Sequence, residues 1–117
     1  MSEENGLPLS GIKIIEFTHM VMGPTVGVVL ADLGADVVKV EPIGGDNTRR
    51  LVGSGAGYFP MYNRNKKSIV INLKSKEGLQ IAYKLIANAD VMIENFRPGA
   101  MKKLGLDYDQ VKILNDR

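Results

Sequence analysis

Hydrophobic residues along the first 41 positions fall into two short runs joined by one longer apolar stretch. A β-branched run at 12–18 stops at His19, an apolar helix follows up to Gly34, and a second run covers 36–41. Two strands joined by one crossover helix form a βαβ unit, in which the strands are parallel. Ligands bind at the carboxyl ends of such strands, so the pattern predicts a binding edge near His19 and Glu41.

The pattern beyond position 41 adds further strands and helices. Residues 43–57 are rich in glycine and polar side chains, which predicts a long loop or a short helix between loops. Residues 57–65 carry aromatic side chains and Pro60, which interrupts a strand. The later predicted elements are strands at 68–73 and 90–96, helices at 76–89 and 108–114, and a loop with a short helix at 97–105. This order predicts an α/β fold: a Rossmann-like open parallel sheet of about four strands with flanking helices.

Local signals refine the helix ends and the extent of the sheet. Pro24 suits the first position of the first helix, and Gly23 permits a tight entry. Ser75 is predicted to cap the helix at 76–89. The strand expected after the last helix is missing, so we expect an incomplete sheet with exposed edges and a chain that is the N-terminal part of a larger protein.

Composition is that of an ordinary globular domain. With 117 residues, 44% hydrophobic and 24% charged, the chain suits one domain, predicted over 9–117 after a flexible segment at 1–8. The net charge of +2 does not call for a nucleic-acid partner. The first residues are acidic and polar, unlike a leader, and no apolar run reaches the roughly 20 residues that span a bilayer. We therefore expect a cytoplasmic protein without a membrane partner.

The residue types exclude several kinds of chemistry. No cysteine is present, which rules out disulfides, thiolate metal sites and cysteine nucleophiles. The aspartates lack the spacing of metal ligands, no serine lies in a nucleophile elbow, and no carboxylate has a clear catalytic context. We therefore expect no metal site, and the residues support ligand binding without a visible nucleophile.

Glu41 suggests a dinucleotide site, because NAD-binding proteins carry an acidic ribose ligand at the end of the second strand. Such proteins also need G-x-G-x-x-G after the first strand, so that backbone can approach the pyrophosphate. Here the loop reads THMVMGP, with one glycine and two methionines. Because these bulky side chains fill the space that phosphates need, the sequence argues against NAD.

Polar residues follow both the first and the fourth predicted strand. His19 has two interpretations: a ligand-binding residue or general base, or a satisfied histidine at a strand end. Asn95 and Phe96 occupy the same topological position after the fourth strand. We expect all three at one edge of the sheet, with an amide for hydrogen bonding and a ring for stacking.

Basic residues cluster around the third predicted strand. Arg64, Lys66 and Lys67 precede it and Lys74 follows it. Several cations near glycine-rich backbone can bind phosphates. A solvated basic surface is the simpler interpretation and is favoured for the cluster taken alone.

Four segments, in order, resemble the start of a family III CoA-transferase: LSGIKIIEFTHMVMGPTVGVVLADLGADVVKVEP, GGDNTRR, YFPMYNRNKKSIVINLKSKEG and ADVMIENFRPGAMKKLGLDY. The family includes formyl-CoA transferase, carnitine and bile-acid CoA-transferases, and α-methylacyl-CoA racemase. The resemblance covers the chain from about Leu9 onward. It implies a Rossmann-like CoA-binding domain, incomplete here relative to the family fold, a second smaller domain, and a dimer of two subunits linked like rings.

The resemblance also implies a reaction, the transfer of CoA between an acyl-CoA donor and a carboxylic acid. A catalytic aspartate forms a mixed anhydride with the acyl group and then an aspartyl-CoA thioester. That aspartate lies downstream of the last motif, so this chain is expected to lack it and to be inactive alone. Asp107 and Asp109 belong to the GLDYDQ segment and are not that residue. Other interpretations stay open: a stand-alone CoA- or nucleotide-binding or assembly module, part of an acyl-CoA racemase, or a fragment that binds nothing.

The resemblance implies particular contacts with coenzyme A. Formyl-CoA transferase has a glutamine at the position of Val21 and an arginine at that of Pro42, so formyl or oxalyl specificity is not implied and one adenine or phosphate contact is lost. CoA thioesters are the implied ligands, and the exposed sheet edges predict self-association, such as a homodimer. The implied contacts are His19, Met20 and Val21 at the acyl-transfer site, Ile71, Leu73 and Lys74 at the nucleotide, Asn95 and Phe96 beside the pantetheine, and Lys103 and Leu104 near the adenosine phosphates.

Overall fold

The structure, a computed structural model, describes residues 6–117 and contains one sheet. Its strands are Lys13–Phe17 (β1), Asp36–Glu41 (β2), Lys67–Val70 (β3) and Val91–Glu94 (β4). All neighbouring strands are parallel, in the order β3–β2–β1–β4. The predicted α/β fold with an open parallel sheet is confirmed. Of the segment predicted to be flexible, 1–8, residues 1–5 lie outside the described residues.

Helices cover both faces of the sheet. Between β2 and β3, the predicted loop at 43–57 contains two short 3₁₀ helices, Asn47–Arg50 and Gly53–Gly55. None of the helices within 6–117 is long and apolar enough to cross a membrane. The α-helices are Met22–Asp32 (α1), Tyr58–Asn63 (α2), Lys76–Ala87 (α3), Ala100–Leu104 (α4) and Tyr108–Leu114 (α5).

Helix α2 is an element that the sequence pattern does not predict. It contains Pro60, which we interpreted as interrupting a strand. Pro60 is the third residue of the helix, where the backbone N–H would have no partner inside the helix. Proline is therefore tolerated there, and the segment forms a helix.

Strand β3 is shorter than the predicted strand at 68–73. The N–H of Ile71 still donates to the carbonyl oxygen of Glu41 at 3.0 Å. The backbone then turns, and the N–H of Ser75 donates to the carbonyl oxygen of Asn72 at 3.1 Å. The β-branched run therefore continues past the end of the strand, because the turn that starts α3 ends the pairing.

The ends of the other elements differ from prediction by a few residues. The hydroxyl of Ser75 accepts from the N–H of Gly78 at 2.9 Å, so the predicted cap of α3 is confirmed. That helix ends at Ala87 rather than 89, and β4 covers 91–94 rather than 90–96. Helix α1 begins at Met22, so Pro24 is its third residue and not the first as predicted.

The face of the sheet that packs on α3 is apolar. Buried side chains from β1, β2 and the residue after β3 pack against side chains of α3, α4 and the loop after α4 in one cluster. Burial of this apolar area is the main favourable contribution to folding. The fully buried members of the cluster are Ile15, Phe17, Val40, Ile71, Ala82, Ile86, Met101 and Leu106.

The opposite face packs on α1 and is mixed. Near the amino ends of the strands a smaller apolar cluster of Ile14, Ala31, Ala35 and Val37 is buried. Towards the carboxyl ends the same face buries Glu16 and Lys39, which are at most 1% exposed. These two residues are paired in register on adjacent strands. The carboxyl half of this face therefore carries charge where the other face carries hydrocarbon.

Candidate ligand-binding site

A cavity of about 560 Å³ lies at the carboxyl edge of the sheet. Its walls come from the segments that follow β1, β2 and β3, with contributions from the segment after β4 and from α4. A larger groove, of about 810 Å³, runs along the edge strand β4 beside α4 and α5. The volume of the cavity at the carboxyl edge falls in the range of about 300–1,000 Å³ that is usual for small-molecule sites.

The lining of this cavity contains most of the residues that the sequence implied as ligand contacts. Of the others, Val21 precedes α1 as its N-cap, Asn95 bonds to backbone beside the cavity, and Lys103 is exposed on α4. The lining residues that were implied are His19, Met20, Ile71, Leu73, Lys74, Phe96 and Leu104. The expected convergence of segments at one edge is therefore present.

His19 is held by the segment after β4. Its N–H donates to Asn95 Oδ1 at 3.1 Å, and its carbonyl oxygen accepts from Asn95 Nδ2 at 3.0 Å. Its ring stacks on Phe96 with centroids 5.0 Å apart and planes inclined by 17°. His19 is therefore fixed through both its backbone and its ring.

Met20 has an unusual backbone conformation beside the cavity. Its φ of 63° lies in the left-handed region, which is rare for a residue other than glycine. Its N–H donates to Thr48 Oγ1 at 3.0 Å. Thr48 in turn donates from its own N–H and hydroxyl to Asp46 Oδ1, at 2.9 and 2.8 Å. The loop after β2 thus holds the loop after β1.

A network of buried charges lies under these loops. Lys39 Nζ is 3.1 Å from Asp46 Oδ2 and 3.8 Å from Glu16 Oε2, and it donates to the carbonyl oxygen of Thr18 at 2.8 Å. The side chain of Lys66, only 2% exposed, contacts Glu16 Oε1 at 2.9 Å. Burial lowers the pKa of Lys66, and the hydrogen bond to Glu16 opposes that shift. The network thus places two acidic side chains against two lysines.

This network was not predicted, although the sequence contains a signal for it. Glu16 and Lys39 stand inside the apolar runs IIEF and VVKV. Charged residues are almost never fully buried without a partner. A carboxylate and an ammonium at matching places in two neighbouring strands therefore indicate a buried pair.

The basic cluster before β3 does not line the cavity. Arg64 pairs with Asp32 at 2.7 Å and Lys67 with Asp36 at 3.3 Å, both in exposed positions. For these two residues the favoured interpretation as solvated surface is correct. It was wrong for Lys66, because this side chain is drawn under α1, where it also donates to the carbonyl oxygen of Pro24 at 2.9 Å.

Glu41 lines the cavity, but its carboxylate is already bound. Arg49 donates to both carboxylate oxygens at 2.7 Å, and Ser68 and the N–H of Asp46 donate as well. The hydrogen bonds from Arg49 are the largest cause of a pKa of about 2 for Glu41, against an ordinary 4.5. Arg49 also lies over the Phe59 ring, 3.9 Å from its centroid. Glu41 therefore acts as an anchor for the loop after β2, which agrees with the argument against NAD.

The cavity combines an apolar wall with one cation. Lys74 is exposed and has no ion-pair partner within 6–117. The two carboxylates in the lining, Glu41 and Asp46, are both engaged. In the same part of the chain no three His, Asp or Glu residues are grouped as metal ligands would be. The arrangement suits a largely apolar ligand with an anionic group.

Comparison with known proteins shows the family of the chain. Residues 9–117 match the sequence model of CoA-transferase family III. A succinate–glutarate CoA-transferase from Agrobacterium fabrum is 46% identical over 121 residues, which cover 94% of this chain and 30% of that protein. An acyl-CoA transferase from Fusarium pseudograminearum is also 46% identical, over 93% of this chain and 27% of that protein.

Solved structures are similar over the same region. Rv3272 from M. tuberculosis, in its orthorhombic form, matches with a TM-score of 0.88 and 44% identity, over 94% of this chain and 30% of that one. A CAIB/BAIF family protein from Brucella suis matches with a TM-score of 0.85 and 44% identity, over 93% and 31%. The chain therefore spans about 30% of the length of the relatives that it matches.

Proposed function

Because this chain belongs to CoA-transferase family III, we propose that it is the N-terminal, CoA-binding portion of an enzyme that transfers CoA from an acyl-CoA donor to a carboxylic acid. The observation that carries the proposal is the single cavity shared by His19, Lys74 and Phe96. These residues come from three separate segments after β1, β3 and β4. Family resemblance had implied CoA contacts for all three before any geometry was considered.

The chemistry of the cavity fits the parts of coenzyme A. The apolar side chains of Ile71, Leu73 and Leu104 offer a surface for the pantetheine arm and the adenine. Lys74 supplies a positive charge for a phosphate group. His19 and Met20 also line the cavity, and the family resemblance implies that they form the acyl end of the site. Val21, Asn95 and Lys103 lie outside the lining, so their contacts with CoA stay predictions from the sequence.

We assign no nucleophile to the described residues. Acyl transfer in this family needs a free aspartate that attacks the acyl group. Asp46 and Glu41 are the carboxylates at the cavity, and each is held by a cation and by hydrogen bonds. Neither is free to attack, so the isolated chain is expected to bind CoA without exchanging it. A homodimer and a cytoplasmic location stay predictions from the sequence.

Calorimetric titration of the 117-residue chain with CoA and with NAD tests the proposal. We expect CoA to bind in the micromolar range and NAD to give no heat. Lys74→Ala is expected to weaken CoA binding about tenfold, because one charge-assisted contact contributes on the order of 1.5–3 kcal/mol.

The matched control is Lys67→Ala, which removes a lysine that pairs with Asp36 away from the cavity. It should leave the affinity for CoA unchanged. Absence of CoA binding, or equal losses for both lysine variants, would contradict the assignment of the cavity. Exchange of CoA between acyl groups by the purified chain would contradict its predicted inactivity.

A further inference from the structure

We propose that Asn95 is a positioning residue for His19, which it holds so that Nε2 is the ring nitrogen available to a ligand in the cavity. The family resemblance implies that Asn95 lies beside the pantetheine. In the structure its carboxamide bonds to the backbone of His19. The relevance of this arrangement to CoA rests on the proposed function, but its geometry and its test do not need CoA.

The carboxamide of Asn95 is used in both directions. Its Oδ1 accepts from the N–H of His19 and its Nδ2 donates to the carbonyl oxygen of the same residue, at 3.1 and 3.0 Å. The two residues are 76 positions apart, so this is a tertiary contact between the loops after β1 and β4. A side chain that satisfies both polar groups of one residue fixes that residue's orientation as a strand partner would.

Gly23 in α1 provides the room for this contact. A Cβ atom at that position would lie 2.6 Å from Asn95 Cγ and 2.7 Å from Thr18 Cγ2. Both distances are shorter than nonbonded carbon atoms tolerate. Any side chain at Gly23 would therefore push Asn95 away from His19, and the three positions act as one unit.

The imidazole ring stacks on Phe96, the residue that directly follows Asn95. The segment that holds the backbone of His19 therefore also holds its ring. Within the described chain, its Nδ1 is buried and has no hydrogen-bond partner. The other nitrogen, Nε2, is neither buried nor bonded there.

This asymmetry selects one form of the neutral ring. A hydrogen on Nδ1 would be a buried donor without an acceptor, whereas an unpaired Nδ1 lone pair is the less costly defect. The neutral imidazole therefore carries its hydrogen on Nε2. It presents an N–H donor to an acceptor on the ligand, such as the carbonyl oxygen of an acyl thioester.

His19 is the only histidine of the chain, so its signals identify the ring without assignment by mutation. In the chain labelled with ¹⁵N-histidine and free of ligand, at a pH where the ring is neutral, we expect the ¹⁵N shifts of the Nε2–H tautomer. We also expect ring protons shifted upfield by Phe96. Asn95→Ala should reduce the ring-current shift by at least half. The tautomer ratio should change only slightly, because neutral histidine in water already favours the Nε2–H form.

Two further variants keep the test decisive. Asn95→Asp retains the acceptor for the His19 N–H but loses the donor to its carbonyl, so an intermediate change is expected. Gly23→Ala should reproduce the effect of Asn95→Ala. The matched control is Asn88→Ala, at an exposed asparagine that bonds to Lys84 at the end of α3, and it should change nothing.

Wild-type spectra of the Nδ1–H tautomer would overturn the proposal. So would unchanged His19 signals in a folded Asn95→Ala chain. If Asn95→Ala does not fold, Asn95→Asp decides, and wild-type signals in that variant overturn the proposal as well. Because these spectra are recorded without CoA, a failure of CoA binding would leave them as they are and would count only against the proposed function.

Discussion

The two faces of this sheet are built from the same strands but are stabilised in different ways. On the α3 face, alternate residues such as Ile15 and Phe17 join an apolar cluster with Ile86. On the α1 face, the intervening residue Glu16 and its neighbour Lys39 are equally buried but charged. Strand residues alternate between faces, so adjacent positions of one strand serve both kinds of interior.

The two kinds of interior contribute differently: one mainly stabilises the fold, and the other mainly fixes the positions of side chains and loops. Apolar burial is nondirectional and tolerates small changes in shape. Buried charges need their partners in place, and removing one partner leaves the other uncompensated. The charged face lies under the loops that line the cavity, and Lys39 bonds directly to one of them. The apolar face thus holds the sheet together, and the charged face fixes the loops.

The largest effect that would test this contrast is expected for Lys39→Met. Methionine fills much of the same space but leaves Asp46 without its cation. We expect the free energy of unfolding, measured in urea at pH 7, to fall by about 3–5 kcal/mol. Lys67→Met, which breaks an exposed pair, should cost less than about 1 kcal/mol. Equal losses for the two variants would show that burial does not distinguish these pairs.

Acid is expected to have a smaller effect on the free energy of unfolding, because it protonates the carboxylate of Glu41. Its pKa is about 2 in the folded chain and near the ordinary 4.5 when unfolded. The stability that it contributes is therefore fully present above pH 4.5 and is lost as the pH falls towards 2. Between pH 7 and 2.5 the wild-type chain should lose about 2 kcal/mol more unfolding free energy than Glu41→Gln.

Asn88→Ala serves as the control for Glu41, because it changes an exposed residue that does not titrate and whose side chain bonds to Lys84 at the end of α3. This variant should lose stability in acid to the same extent as the wild-type chain. Parallel pH profiles for the wild-type chain and Glu41→Gln would contradict the role of Arg49 as the cause of the low pKa.

The smallest effect is expected on the apolar face. Ile86→Val removes one methylene from a side chain that is 2% exposed. The free energy of unfolding should fall by about 0.5–1.5 kcal/mol, as for other buried Ile→Val changes. Calorimetry should give an unchanged affinity for CoA, since the substitution leaves the loops of the cavity in place. A tenfold or greater loss of CoA affinity would mean that the apolar face also determines the positions of the loops around the cavity.

The sequence predicted the strands, most helices and the edge at which the cavity lies, because these follow from the periodicity of apolar residues. It could not predict α2, since Pro60 and its aromatic neighbours are equally compatible with a loop. It also could not show which lysine of the basic cluster is buried. That depends on the approach of β3 to α1, a tertiary contact without a local signal. For the same reason the sequence could not show that the carboxamide of Asn95 bonds to the backbone of His19, 76 residues away.

The contact between His19 and Asn95 also has a consequence for folding. The pairing of β1 with β4, which brings Ile14 beside Val91, joins the first and last thirds of the described chain. Contacts of such long sequence separation form late and slowly, because loop-closure entropy has to be overcome first. The cavity is therefore complete only once the whole sheet has assembled. A ligand that binds there shifts the unfolding equilibrium of the entire domain and not of one loop.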